Sequence, residues 1–248
     1  MKLIRALLLS VALIEASPTL AAEIRPLPVP PARVDLRQQA ANSLLKYPVY
    51  EVMSRRFPDV YATMLDRISE GMSKGNTIRE LIVEIRPIYL DLLGREAAKA
   101  DAENTRAMMI LARDQANAAL EHSPEACMVV LGLAKGPQLA MDVLPEKLAM
   151  QDLVIAAKLF EQTATRPAPP VKPLAEGVME NLGGKVVDRL PTKDDRKAFF
   201  AIGGDFSKAQ SPAEKRAACL FMTGMVEILL EMPGDQGTEI YRNITSPH

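Results

Sequence analysis

The sequence predicts an all-α protein, a bundle or array of about nine helices that could form two helical halves linked by a disulfide. Three observations lead to this fold class. Apolar residues recur at helical spacing, most clearly over 60–72, 78–93 and 171–190. Helix-start signals precede several of the apolar stretches. Alternating β-branched runs and Asn-Gly hairpin turns, which are typical of strands and hairpins, are absent from the sequence.

Length and composition exclude several classes of protein. The chain has 248 residues, of which 48% are hydrophobic and 25% charged, and this argues against disorder along the whole chain. The formal net charge of -1 gives no electrostatic reason to expect nucleic-acid binding. Trp is absent and aromatic residues make up only 4%, which weakens any function based on stacking against sugars or bases.

Five helical stretches are predicted in the first half of the chain. Thr77 and Glu80 form a capping box, and the helix that follows contains Pro87, where we expect a kink. The last of the five stretches is rich in alanine and other strong helix formers. In order, the stretches are 35–46, 48–56, 60–72, 78–93 and 97–120.

The second half is also predicted to be helical. Ser123 and Ser211 are each followed by proline, and both Ser-Pro pairs are typical helix starts. Residues 148–160 are apolar on almost every side, which predicts a central buried helix. Gly183-Gly184 interrupts the stripe over 171–190, and we interpret this pair as a helix end. Further helices are expected from residue 192 and over residues 211–231.

Residues 1–22 have the pattern of a secretory signal peptide. A positive start is followed by an apolar run over 6–14 and by small residues before Glu23. The run is too short to cross a bilayer, which requires roughly 20 apolar residues. We expect cleavage after Ala21 or Ala22, a periplasmic or secreted product, and no transmembrane segment in the mature chain.

Two clusters of proline divide the remainder. Residues 23–34 contain four prolines and can be neither helix nor central strand, so they are expected to form an extended leader. The helical domain then covers 35–248. Residues 165–173 form the second proline cluster and are the candidate boundary inside that domain.

The chain has two cysteines, Cys127 and Cys219, which fit no C-x-x-C pattern. In an oxidising compartment a lone pair of cysteines usually forms a disulfide, so we predict a bond between them. This bond would bridge the proline cluster at 165–173 and join the two halves. The alternative is a pair of separate buried thiols.

No motif assigns a catalytic residue, a metal ligand or a cofactor, and none is predicted. Of the two histidines, His122 ends the alanine-rich stretch, where its charged form suits the helix dipole, and His248 is the terminal residue. Nucleophile elbows and phosphate-binding loops are absent from the sequence.

Two alternative functions stay open. A cell-wall lytic enzyme or other periplasmic hydrolase would need one desolvated carboxylate, and Glu51, Glu80 or Glu84 could supply it. A periplasmic metal or small-molecule carrier would need a closed apolar cavity or converging sulfur atoms. Met222 and Met225 follow Cys219 at helical spacing, and such soft ligands suit Cu(I).

An aromatic cluster is the most distinctive local feature. Tyr47, Tyr50, Phe57 and Tyr61 are four of the eleven aromatic residues and lie within fifteen positions of one another. Packing between helices explains such a cluster. An exposed anchor patch for a partner is the second interpretation, because Tyr is enriched at interfaces.

We therefore expect an exported all-α protein that binds an unidentified protein or envelope component and is more readily explained as a binding protein than as an enzyme. Each of the three functions requires a different structural feature. A hydrolase requires a cleft with a carboxylate of raised pKa, and a carrier requires a closed cavity or converging sulfur ligands. A binding protein requires an exposed apolar surface.

Overall fold

The computed structural model describes residues 35–134 and 142–246. In these two ranges the chain forms eleven α-helices and one short 3₁₀ turn, and it contains no strand, which confirms the all-α fold class. The proposed signal peptide, the proline-rich leader and His248 lie outside the described residues.

The helices follow one another with short connections. They are α1 (Leu36–Leu44), α2 (Pro48–Arg56), α3 (Pro58–Ser73), α4 (Ile78–Ala97), α5 (Ala102–His122), α6 (Pro124–Val130), α7 (Glu146–Thr165), α8 (Val178–Arg189), α9 (Lys193–Ala201), α10 (Pro212–Glu231) and α11 (Gln236–Thr245).

Side chains at the helix starts explain where several helices begin. Thr77 and Ser211 each accept a hydrogen bond from the backbone three residues later. The predicted capping box with Glu80 is present, and Ser211 forms a second one with Glu214. The Ser123 hydroxyl likewise accepts from the first turn of α6. These contacts satisfy backbone N–H groups that have no partner inside a helix.

The first of two hydrophobic cores is built from α1 to α4, α7 and one side of α5. α7 packs along α2 and also contacts α4 and α5. Met53, Met64, Leu153 and Phe160 are fully buried there. The apolar stretch over 148–160 therefore forms a central helix of this core, as the sequence predicts.

The second core contains α6, α8 to α11 and the other side of α5. α10 is its central helix and contacts α5, α6, α8, α9 and α11. Neighbouring positions on α5 separate the two cores, because Met108 packs in the first and Met109 in the second. α5 is therefore the wall that both cores share.

The proline-rich connection between α7 and α8 is held by hydrogen bonds to both cores. The Ala168 N–H donates to the Lys99 carbonyl at 2.8 Å. The buried Arg242 of α11 donates to the carbonyls of Ala98 at 2.9 Å and Pro169 at 2.7 Å. The connection therefore passes close to α4 and α11; a domain boundary at 165–173 stays a prediction.

Two local expectations differ from the structure. Gly183-Gly184 does not end a helix, since α8 continues through both residues while Leu182 and Val186 hold its apolar side in the second core. The sequence analysis also did not predict α11, whose interior contains a glycine and several β-branched residues. Burial of Ile240 and Tyr241 stabilises α11 in spite of this composition.

Gly237 is the glycine at which a side chain is least tolerated. A Cβ atom added there would overlap the backbone carbonyl of Leu229 in α10, and a backbone group cannot move aside cheaply. We expect Gly237→Ala to reduce the free energy of unfolding by about 1–3 kcal/mol, measured by urea denaturation. Gly184→Ala is the matched control because the space around that helical glycine is open; it should raise stability by about 0.5–1 kcal/mol. Equal effects of the two changes would contradict the close approach of α10 and α11.

Candidate functional site

The four clustered aromatic residues do not form the exposed patch that the sequence allowed. Tyr50 is 0% exposed and Tyr61 7% exposed, and Tyr47 and Phe57 are half-buried. Their rings pack into the first core, where Phe57 meets Phe160 edge-on at a centroid distance of 5.4 Å. The first interpretation, packing between helices, accounts for the cluster, because α2 packs against α7 and α3 packs against α4.

The buried tyrosines surround an acid that the sequence did not single out. Tyr50 of α2 and Tyr89 of α4 have ring centroids 6.4 Å apart, and both are within electrostatic reach of Asp152 on α7. The hydroxyls of both tyrosines and Oδ2 of Asp152 are buried without a hydrogen-bond partner. We call these three residues the Asp152 cluster.

Burial controls the ionisation of the Asp152 cluster. It raises the pKa of Asp152 well above the ordinary range of a carboxyl, since the charged form has lost its contact with water. Burial first, and the nearby Asp152 second, also raise the pKa values of Tyr50 and Tyr89. The cluster lines none of the described surface cavities, so its acid is enclosed in the core instead of facing a substrate cleft.

The glutamates considered for hydrolysis lie on the surface. Glu51 and Glu84 are exposed, and Glu84 accepts a hydrogen bond from the Asn76 side chain at 3.0 Å. Glu80 accepts from the Thr77 backbone at 2.7 Å, and this bond lowers its pKa. These settings do not desolvate a carboxylate, which the hydrolase interpretation requires.

The two cysteines lie at disulfide distance. Their Cα atoms are 6.2 Å apart, and both residues are completely buried between α6 and α10. Met222 and Met225 are buried in the same core, but a disulfide leaves no thiolate to join them as a metal ligand. Across the described ranges, no group of three or more His, Cys, Asp or Glu side chains could hold a metal ion.

An open groove runs between α8 and the turn that joins α10 to α11. It consists of two adjoining cavities of about 480 and 620 Å³ that share Lys185, Met232 and Gln236. The Arg189 guanidinium donates to the Glu231 carboxylate across one part of the rim at 2.7 Å and lowers the pKa of Glu231. The groove therefore has a polar rim, on which the Glu231 carboxylate is paired with a cation.

A different surface combines an exposed aromatic residue with exposed lysines. Phe200, near the end of α9, is 66% exposed, more than Leu45 at 43% and Val154 at 40%, the other large apolar side chains that stand out from the described surface. Its neighbour Phe199 is buried and stacks on Phe221 with ring centroids 4.5 Å apart. Phe200 is therefore exposed to solvent on a helix that the buried Phe199 fixes in place.

The start of α9 is fixed as firmly as its end. The Thr192 hydroxyl accepts a hydrogen bond from the Asp195 backbone at 3.0 Å. The buried Asp195 carboxylate in turn accepts from Arg216 of α10 at 3.3 Å. Both ends of α9 are thus attached to α10 and its surroundings, and the orientation of its outer side is set by the second core.

Cations precede Phe200 on the outer side of α9. Lys193 and Lys197 precede it by seven and three positions, so helical spacing places them on its side, and both are exposed without an ion-pair partner in the described chain. Arg196 is half-buried one turn before Phe200 and donates to the Leu190 carbonyl at 3.5 Å. Asp194, at the other edge, is the acidic residue on this outer side. We call Lys193, Arg196, Lys197 and Phe200 the α9 face.

The sequence interpretation missed the α9 face although a signal was present. The order Lys193, Lys197, Phe200 follows a helical repeat of i, i+4 and i+7. The adjacent Phe199 obscured this signal, because the sequence alone does not show which of two neighbouring phenylalanines faces the core.

Comparison of the chain with protein-family models, curated proteins and solved structures found no match. The site is therefore interpreted from its own geometry. None of the helices in the described part of the chain combines the length and the apolar character needed to cross a bilayer.

Proposed function

We propose that the protein is an exported, non-enzymatic protein that acts by binding a component of the cell envelope through the α9 face. The observation that carries this proposal is the exposed Phe200 on a helix whose two ends are anchored. Within the described chain the Phe200 ring meets another ring only at the edge of Phe199, at a centroid distance of 5.9 Å, so most of its surface stays in water. Rigid aromatic side chains are frequent anchors of binding surfaces.

Export is the part of the proposal that rests on the sequence. The pattern of residues 1–22 is that of a signal peptide. The pairing of Cys127 with Cys219 supports export, because disulfides persist mainly in oxidising compartments such as the bacterial periplasm. A periplasmic or secreted location agrees with both observations.

The two alternative functions have less support in the geometry. For a hydrolase, the carboxyl of raised pKa is Asp152, and it is enclosed in the first core away from the groove. For a carrier, the described cavities are open grooves with polar rims, whereas a carried ligand is usually enclosed by mostly apolar walls.

Photo-crosslinking in intact cells tests the proposal. A photoreactive phenylalanine analogue placed at position 200 should form an adduct with an envelope component. The same analogue at positions 45 and 154, which also carry exposed apolar side chains, provides matched controls and should form little adduct. Lys193→Glu with Lys197→Glu should abolish the adduct at position 200. Equal yields at the three positions, or no adduct at position 200, would show that the α9 face is not the contact surface.

A further inference from the structure

We infer that the envelope component bound by the α9 face is the surface of an anionic phospholipid membrane. This inference rests on the proposed function and names the partner of the same surface. It predicts that Phe200 enters the headgroup region while Lys193 and Lys197 lie against lipid phosphates.

Charge is the first observation that favours an anionic surface. The α9 face and its edge carry Lys193, Arg196 and Lys197 against Asp194, an excess of positive charge in a protein whose overall charge is -1. The two lysines make no ion pair in the described chain, so their charge is available to an external anion. Attraction to anionic lipid is strong only for cations close to the membrane surface. Lys193 and Lys197 are exposed on the α9 face and can come that close.

The small apolar area around Phe200 is the second observation, and it favours lipid over a protein partner. The one ring of the described chain that contacts Phe200 is that of its buried neighbour Phe199, edge-on at a centroid distance of 5.9 Å. A stable protein interface buries about 800 Å² on each side, and its centre is depleted of charged residues. Here the exposed aromatic ring shares one side of α9 with three preceding cations, while the other exposed large apolar residues, Leu45 and Val154, belong to other parts of the chain. An aromatic side chain among lysines is typical of segments that lie at a membrane interface.

The third observation is that α9 is held in place before any contact forms. Thr192 and Asp195 fix its start, and the stacking of Phe199 on Phe221 fixes its end. Binding therefore requires little ordering of the backbone, which reduces its entropic cost. A contact of one aromatic ring and two lysines is nevertheless modest, so we expect reversible binding that weakens as salt screens the charges.

Vesicle flotation of the protein as the cell produces it provides the test. The protein should float with vesicles of phosphatidylglycerol mixed with phosphatidylcholine and not with vesicles of phosphatidylcholine alone. Lys193→Ala with Lys197→Ala should weaken binding roughly 30-fold, because each lysine contributes about fivefold. Phe200→Ser should weaken it by about tenfold. The three changed side chains are exposed, so circular dichroism and the melting temperature should stay unchanged.

A matched control keeps the result specific to the α9 face. Val154→Ser with Lys158→Ala removes one exposed apolar residue and one exposed cation from the same helix, α7, and should leave flotation unchanged. Failure to float with anionic vesicles at low salt would overturn the inference, as would equal binding by the α9 variants and the control. A position-200 adduct with a protein, without vesicle binding, would overturn this inference but leave the proposed function standing. Absence of any position-200 adduct in cells would remove both.

Discussion

Loss of the link between Cys127 and Cys219 is expected to reduce the free energy of unfolding by about 4–5 kcal/mol. The two residues are 92 positions apart, so the bond closes a long loop and restricts the unfolded chain more than a short crosslink would. Such a loss corresponds to a fall in melting temperature of roughly 8–20 °C for a protein of this size.

The position of the cysteines makes this effect global. Cys127 lies in α6 and Cys219 in α10, the central helix of the second core, and both side chains are completely buried. The loop between them contains α7, which belongs to the first core. Restricting this loop therefore stabilises the packing of both cores. Loss of the disulfide should lower the temperature at which the whole domain unfolds cooperatively.

Thermal melting with and without reductant, monitored by circular dichroism, measures the effect. Reductant should lower the melting temperature of the wild type but leave that of the Cys127→Ala, Cys219→Ala variant unchanged. The double variant reports the loss without any redox chemistry, and its melting temperature should resemble that of the reduced wild type. Two reactive thiols per chain in denatured, unreduced protein from the oxidising compartment would contradict a native disulfide.

Features set by neighbouring residues were predictable from the sequence. The starts of α4 and α10 follow from Thr77 and Ser211, because a cap and its capping box depend on residues three positions apart. By contrast, α8 continues through Gly183-Gly184 because it packs tightly on α10, where Val186 lies against Gly224. α11 likewise depends on burial that local composition does not reveal.

Orientation at the candidate sites was the harder problem. The density of tyrosine around residues 47–61 indicated a cluster, but local sequence did not show whether the rings face solvent or core. Asp152, the acidic neighbour of the buried Tyr50, lies about a hundred positions further along the chain. Only the packing of α7 on α2 brings these two residues together. For α9, by contrast, helical spacing predicts which residues lie on the exposed side once Phe199 is assigned to the core.

Asp152→Asn is expected to change the pH dependence of stability. Burial raises the pKa of Asp152 in the folded protein above that in the unfolded chain, which is about 4, and no cation of the described chain offsets this. Folding therefore takes up a proton. The resulting stabilisation is complete below the unfolded pKa and is lost as pH rises through the folded pKa, with a slope of about 1.4 kcal/mol per pH unit.

Urea denaturation of the wild type and Asp152→Asn across a pH series from about 4 upward measures this slope. Asparagine keeps the shape of the side chain without an ionisable group, so the variant should lose the downward slope and become more stable than the wild type by neutral pH. Tyr50 and Tyr89 do not complicate the comparison, because burial and the nearby Asp152 raise their pKa values and keep them protonated. Asp188→Asn, on the exposed side of α8, is the matched control and should follow the wild type. Parallel curves for the wild type and Asp152→Asn would show that the buried carboxyl does not bind a proton on folding.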